Sequence, residues 1–436
     1  MTFRTTFAAA SLALLASAQS NSSNGLDINQ LISDPGVYGP AIELVHLYSG
    51  EPQFPTGITV SREGRLFSNY PGALDPANTN DGTNGRFTIA ELINGTTEVP
   101  WPSSEINSPP GGAINYTTTP PTAANYENYL IGSQSIVIDA ANRAWILDTG
   151  RVALPNGVIV SASPGGTKLI GVHLNNDTVF QTIVFPSDVA YPDSYLNDLR
   201  IDLNPEVTES GKGIIYITDS SPEGRNGIVM ADIGTGETWR HLDGNPNVRV
   251  QEQFTFTQWG SPRYGFTAPS GPFAYTNFGA DGIALSADGK TLFWKLVAGR
   301  NMYSIPTERL RDRSNTSEWL AQASIQNWGE TGVTDGMETD TNNLIYHGHA
   351  EANAVAVFNP ANASHEVFVR DPRINWPDTL SVSWDGYLYF TNNQLPFGAA
   401  FAPGEDRRQP PYSLLRVPLP NNGSKIGVDV AREAGY

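Results

Sequence analysis

The 436-residue sequence contains no cysteine. That removes disulfides, a thiol nucleophile, a thiolate metal site and thiol redox chemistry. A chain of this length can do without disulfides because it can bury a large core. Long apolar runs are also missing. The run Phe7–Ala16 is too short to span a bilayer, and nothing later is long enough. Basic residues are scarce: 26 Lys and Arg stand against 44 Asp and Glu, a net charge of −18. That balance argues against nucleic acid and anionic membrane as partners. There is no G-x-S-x-G elbow, Walker loop, H-E-x-x-H helix or G-x-G-x-x-G strand–helix junction. A nucleotide-dependent enzyme and a zinc hydrolase are therefore disfavoured.

What is abundant is turn chemistry. The chain has 42 Gly and 32 Pro, with few long helical periods, as an all-β fold requires. Six stretches repeat one pattern: Phe54–Tyr70, Gly132–Thr149, Leu196–Asp219, Ala280–Lys295, Thr334–His347 and Pro377–Asn392. Each opens on a polar residue and runs through a short apolar alternation into a turn of Asp, Asn and Gly. Each continues in a strand of aromatic and β-branched residues that ends polar. This is a hairpin signal written six times. One hairpin cannot bury its own apolar face, so the repetition predicts a six-bladed β-propeller, an all-β fold. We read residues 45–436 as this single domain. Val45–Tyr48 is predicted as the outer strand of a blade and Tyr412–Pro418 as a closing strand. Pairing strands from both chain ends leaves no free edge.

The N-terminus reads as a signal peptide over residues 1–18. Arg4 precedes the apolar run, and Ala16-Ser17-Ala18 supplies a small-x-small cleavage site. Residues 19–44 are expected to form a flexible lead-in. Asn-x-Ser/Thr triplets at Asn21, Asn94, Asn115, Asn176, Asn315, Asn362 and Asn422 suit a glycosylated, secreted protein. Two insertions stand out. Asn94–Tyr129 is dense in Pro, Thr and Asn, and Val248–Phe278 is rich in aromatics. The second ends directly before the fourth repeat and is expected to wall or cover a pocket.

In a propeller the start of each inner strand and the end of its neighbour meet at one face. Aligning the repeats gives a first ring of Thr56, Gln134, Asn197 with Asp198, Asp281, Asp335 and Asp378. A second ring contains Asn69 and Tyr70, Asp148, Asp219, Lys295, His347 and Asn392. Both rings are expected to line one mouth of the channel. Carboxylates gathered there raise one another's pKa, bind a cation or pair with Lys and Arg. His347 and His349 are expected on opposite sheet faces, so that only one reaches the channel. Lys295, after Phe293 and Trp294, is expected as a half-buried amine or a snorkelling surface lysine. Asp139, Asp202, Asp288, Asp340 and Asp385 read as turn residues on the opposite face.

Several linked motifs resemble the Yellow and major royal jelly protein family. They are LNDLRIDL, GIIYITDSS, GIVMADIGTGETWRHL, GIALSADGKTLFWKLVAGRNMYSIPTERLRD, WILDTGRV and YLYFTNNQLPF, in order between Tyr48 and Pro418. The resemblance implies a secreted six-bladed propeller with a small-molecule site at one end of its channel. Its insect members resemble binders of amines and sterols or enzymes converting dopachrome-like compounds. Similar fungal propellers include the hetero-Diels–Alderases of tropolone-sesquiterpenoid pathways, which act on a quinone methide. The shared theme is an electrophilic quinonoid ring, so an aromatic or terpenoid substrate and no cofactor are expected, with a structural Ca²⁺ as the alternative. Lys295 or His347 would then protonate or hydrogen-bond the ring oxygen. Asp281, Asp335 or Asp219 would act as base or orienting group. Gln134, Asn197, Asp378, Asn392, Tyr70 and Trp294 would contact the ligand. Two other readings stand beside this one. A non-catalytic binder of small aromatic or lipid-like ligands needs no proton-transfer group. A calcium-dependent lactonase of the gluconolactonase type would use Asn197, Asp281 and Asp335, but Thr56 occupies the place of its first-blade Glu.

Overall fold

The computed structural model describes residues 36–48, 53–124, 127–266 and 271–427. The signal peptide, most of the lead-in and Asn21 lie outside the described residues. Six four-stranded antiparallel sheets follow one another along the chain. Their inner strands are Thr59–Val60, Ser133–Ile138, Leu196–Asp202, Ala280–Leu285, Met337–Thr339 and Pro377–Val382. The architecture is the six-bladed β-propeller. The third strand of the sixth blade, Tyr412–Pro418, pairs with Glu43–Tyr48, which serves as its fourth. The circle is thus closed by strands from both chain ends, with Glu43–Tyr48 covering the edge that Tyr412–Pro418 would otherwise expose. Among the described residues the α-helices are Thr307–Arg311 and Ser317–Ala323, both between the third and fourth strands of the fourth blade.

The core lies between blades. Trp145, Leu147 and Leu169 of the second blade pack against Leu199, Ile215, Ile217 and Val229 of the third. The second strands Ile214–Asp219 and Thr291–Leu296 are covered on both faces, which explains their near-continuous apolar sequences. The first insertion is only partly a loop. Its segment Glu98–Pro100 completes the first blade as the outer strand, where a proline is tolerated at the edge.

The turn aspartates behave as their sequence suggests. Asp139 accepts the Arg143 amide, Asp288 the Lys290 amide, Asp340 the Leu344 amide and Asp385 the Tyr387 amide. Asp202 caps its own turn by accepting the Asn204 amide. Each side chain satisfies backbone donors that the turn leaves open.

Candidate functional site at the channel mouth

Five of the first-ring residues occupy breaks in strand register, while Thr56 and Asp335 precede their inner strands. The pairing of inner and second strands shifts between Ser133 and Ser135, Leu196 and Leu199, Ala280 and Ile283, and Pro377 and Leu380. Gln134, Asn197, Asp198, Asp281 and Asp378 fall inside those bulges, where a side chain can be re-aimed out of the sheet alternation. The glycines after Asp281 and Asp335 have a physical role, whereas Asp378 is followed by Thr379. A Cβ on Gly282 would overlap the Asp335 carbonyl, and one on Gly336 would overlap the Asp378 carbonyl. Only glycine lets neighbouring inner strands approach closely enough to bring the three aspartates together.

The result is a nearly continuous polar circuit. Asn69 Nδ2 donates to Thr56 Oγ1 at 2.7 Å and to the Gln134 carbonyl at 2.6 Å. Gln134 Oε1 accepts the Tyr195 hydroxyl at 2.6 Å, and its Nε2 donates to Asn197 Oδ1 at 3.4 Å. Asn197 Nδ2 donates to Asp281 Oδ2 at 2.5 Å and to Ser220 Oγ at 2.9 Å. Asp335 shares hydrogen bonds with both Asp281 and Asp378 and accepts the Trp376 indole N–H at 2.7 Å. Asn393 Nδ2 ties Asp378 Oδ2, at 2.6 Å, back to the Pro55 carbonyl.

The three aspartates dominate the electrostatics. Asp281 and Asp378 are 3% and 4% exposed. Burial pushes both well above the ordinary carboxylate range, and the neighbouring Asp335 charge pushes them further. Burial raises Asp335 to about 6, with hydrogen bonds from Asp281 and Trp376 limiting the rise. Burial and mutual repulsion thus favour retention of protons within the trio, most strongly on Asp281 and Asp378. None of the three pairs with a Lys or Arg among the described residues.

Asp198 leaves this group. It pairs with Arg200 at 3.1 Å and accepts Ser135 Oγ at 2.9 Å. Arg200 reaches across to the fifth blade, where it donates to the Met337 carbonyl and lies 3.4 Å from Glu338. Lys425 lies 4.0 Å from the other Glu338 oxygen. Asp198, Arg200, Glu338 and Lys425 thus form a buried charge cluster beside the three aspartates, and the Asp198 charge also raises Asp281 and Asp335.

Most of the second ring serves the blades rather than the mouth. Asp148 accepts the amides of Ile131, Gly132 and Gly150 and meets buried Lys168 at 3.1 Å. Asp219 accepts the amides of Tyr195 and Ser221 and pairs with Arg240 at 2.8 Å. Asn392 Oδ1 accepts the Asn375 amide at 2.6 Å. The Tyr70 hydroxyl donates to Glu98 inside the first blade, and Trp294 fills the fourth-blade core with its N–H on the Asn247 carbonyl. All are held by architecture. Asn69 is the second-ring residue that joins the mouth circuit.

Lys295 and His347 also lie elsewhere. Lys295 is fully buried and donates to the Arg300 carbonyl at 2.9 Å and to Thr331 Oγ1. It is neither half-buried nor snorkelling. Burial lowers its pKa to about 7. His347 Nδ1 lies 2.8 Å from the Gly348 carbonyl and its Nε2 lies 3.1 Å from His365 Nε2. His349 also lies against His365, with ring centroids 6.1 Å apart. The expectation of opposite faces is overturned, because residues two apart on a strand share a face. Both histidines flank His365 of the fifth blade's outer strand, away from the three aspartates.

The second insertion covers the mouth. Its Phe256 packs on Trp376 at 5.1 Å between centroids, and Phe278 lies 6.2 Å from Tyr195. Tyr195, Trp376 and Asn393 were missed by sequence alignment of the rings. A signal existed for two of them: Tyr195 and Trp376 each stand two residues before a ring position, as Phe54 does before Thr56.

The geometry allows proton donation by Asp281 and Asp378 and acceptance by Asp335. It does not resemble a prepared cation cage. Asn197 turns its N–H toward Asp281, and no three His, Cys, Asp or Glu side chains among the described residues are set to hold a metal ion.

Fold and mouth define a closed six-bladed propeller with an acidic, aromatic-covered site at one end of its channel. The major royal jelly protein family model matches residues 131–407, more than half of the chain, and the chain belongs to that family. Major royal jelly protein 7 of Apis mellifera is 22% identical over 230 residues, 53% of this chain and 47% of that one. Protein yellow of Drosophila erecta is 22% identical over 204 residues, 45% of this chain and 34% of that one. The chain thus spans half or less of the length of these curated relatives. Among solved structures, a luciferin-regenerating enzyme aligns with TM-score 0.47 and 9% identity, covering 89% of this chain and 97% of that one. A gluconolactonase from Xanthomonas campestris aligns with TM-score 0.42 and 10% identity, covering 88% and 97%.

Proposed function

We propose that the protein is a cofactor-independent cyclase or isomerase acting on an oxygenated quinonoid ring at the channel mouth. The observation that carries this reading is the contact of three buried carboxyl groups, Asp281, Asp335 and Asp378, beneath an aromatic cover. A protonated carboxyl beside an ionised one supplies an acid and a base at the same pH. In an isomerisation, Asp335 accepts the proton released from ring carbon while Asp281 or Asp378 donates one to the ring oxygen. The proton count of the ring is unchanged. In a hetero-Diels–Alder cyclisation of an o-quinone methide, the protonated carboxyls hydrogen-bond the oxygen that gains negative charge. Holding both reactants in attack geometry contributes on the order of 7–11 kcal/mol at best. Hetero-Diels–Alder cyclisation, of the tropolone-sesquiterpenoid type in secondary metabolism, is the reading we favour, with a dopachrome-type tautomerase second. The catalytic load falls on the three aspartates, and Lys295, His347 and Asp219 support the scaffold. We further propose secretion after cleavage at Ala18, with glycans at the exposed asparagines Asn94, Asn176, Asn315, Asn362 and Asn422.

The deciding experiment follows turnover of an o-quinone-methide precursor with an electron-rich alkene, with and without EDTA, in wild type and Asp335→Asn. We expect one stereochemical adduct, unaffected by EDTA and strongly reduced in the variant. Loss of activity with EDTA and recovery with Ca²⁺ would favour the lactonase-like metal site instead. A second reading, binding of an aromatic amine without turnover, draws on the absence of any Lys or Arg partner for the three carboxyls among the described residues. Saturable amine binding with no product would support it.

A further inference from the structure

Two arginines near the cover, Arg263 within it and Arg407 in the loop before Tyr412–Pro418, lack an acidic partner among the described residues, although Arg407 Nη2 donates to the Ala402 carbonyl at 3.2 Å. In the hairpin Phe256–Gln258 and Ser261–Arg263, Phe256 stands opposite Arg263, so Phe256, Gln258 and Arg263 share its buried face. Arg263 is 7% exposed and its Nε has no hydrogen-bond partner. Neither Arg263 nor Arg407 has an acidic partner among the described residues. Both guanidinium groups instead lie over the Phe397 ring, at 4.4 and 5.7 Å. Trp259 approaches the same ring at 5.4 Å and is 59% exposed.

This is unusual for a chain of net charge −18. The adjacent Arg408 pairs with both Asp75 and Asp406, Arg300 with Glu351 and Arg373 with Asp371. For Arg263, a guanidinium taken out of water without a counter-ion is unfavourable, and a ring face offsets only part of that. Burial and the Arg407 charge both act against the charged form of Arg263. An anion at this place would answer both charges. Guanidinium groups suit a carboxylate because their N–H fork meets both oxygens.

We propose that Arg263 and Arg407 form an anion-binding subsite on the rim of the channel mouth. It takes the carboxylate of an aromatic or quinonoid ligand whose ring lies along Phe397 and Trp259. The subsite is continuous with the three aspartates: Gln258 Nε2 donates to Asn375 Oδ1 at 2.6 Å, and Phe256 rests on Trp376, the donor to Asp335. Such a ligand is anchored by its acid group at the rim and presents its ring oxygen to the protonated carboxyls. The inference deepens the proposed function by naming the substrate class, and it rests on the mouth being the ligand site.

Isothermal titration calorimetry tests it with 4-hydroxycinnamate and its neutral amide. Measurements use wild type, Arg263→Gln, Arg407→Gln and Asp335→Asn. The acid is expected to bind about tenfold or more tighter than the amide, the range of one charge-assisted contact. Both arginine substitutions should remove most of that preference, while Asp335→Asn keeps it. Arg407 is exposed, so its substitution decides the matter if Arg263→Gln fails to fold. Equal binding of acid and amide, no binding of the acid at millimolar concentration, or a preference that survives Arg407→Gln overturns the subsite. Lost turnover in Asp335→Asn bears on the proposed chemistry alone, because acid binding is read without turnover.

Discussion

Trp376 donates its indole N–H to Asp335 Oδ2 at 2.7 Å. This one bond couples the aromatic cover to the least perturbed of the three mouth carboxyls. Replacing Trp376 by Phe keeps a ring against Phe256 and removes the donor. A hydrogen bond to a charged group is worth about 1.5–3 kcal/mol, so the Asp335 pKa should rise by roughly one to two units. The acidic limb of the pH–rate profile should move to higher pH by that amount. A limb that stays in place or moves down would remove Asp335 from the rate-determining ionisation.

Asp335→Asn is expected to stabilise the protein at neutral pH while reducing turnover. The folded pKa of about 6 lies above the unfolded value of 3.8. The unfolded chain therefore gives up its proton first. Stability from this group is full below about pH 4 and is lost as pH rises toward 6. The Asn variant lacks that loss, so its advantage should be on the order of 1–3 kcal/mol at pH 7 and fade toward pH 4. Denaturant unfolding at both pH values measures it. An advantage that does not depend on pH would contradict the shift.

The buried pair Arg240–Asp219, at 2.8 Å, belongs to the scaffold. Arg240→Met leaves Asp219 charged and unpaired, which should destabilise by about 3–5 kcal/mol. The double substitution Arg240→Met with Asp219→Asn should recover part of it. Turnover per folded molecule should be unchanged by Asp219→Asn. A selective loss of turnover there would return Asp219 to the chemistry.

The pocket of Lys295, His347, His349 and His365 has the opposite pH sign. Burial lowers Lys295 to about 7 and His365 to about 4, and it lowers His347 and His349 as well. Groups with depressed folded pKa values add stability above their unfolded values and lose it as pH falls. Lys295→Met should therefore gain on wild type as pH drops from about 10 to 7. His365→Gln should flatten the loss of Tm between about pH 6.5 and 4. Thermal unfolding across this range tests both, and parallel curves for variant and wild type would refute the assignment.

The blades were legible in the sequence because each hairpin announces itself by local means. An Asp- or Gly-rich turn and two apolar alternations suffice, and Asp139, Asp288 and Asp340 perform the turn role their spacing implies. The first ring was legible for the same reason, since Gln134, Asn197, Asp281 and Asp378 sit at fixed offsets from those turns. The second ring was not. Asp148 and Asp219 look alike in sequence to a mouth residue, yet their partners Lys168 and Arg240 come from strands further out in the blade. A strand-end carboxylate gives no local sign of which cation it will meet.

The sequence by itself determined the period, the turns and which residues are polar at each strand start, because these depend on neighbours along the chain. Tertiary structure alone decided where those polar groups point. Register breaks aim Asp281 and Asp378 into the channel, and glycines at 282 and 336 let adjacent blades close on Asp335. Inter-blade packing carried Lys295 and His347 to a different seam. Blade-to-blade contacts arise between segments far apart in the chain, and no periodicity within a single hairpin encodes them.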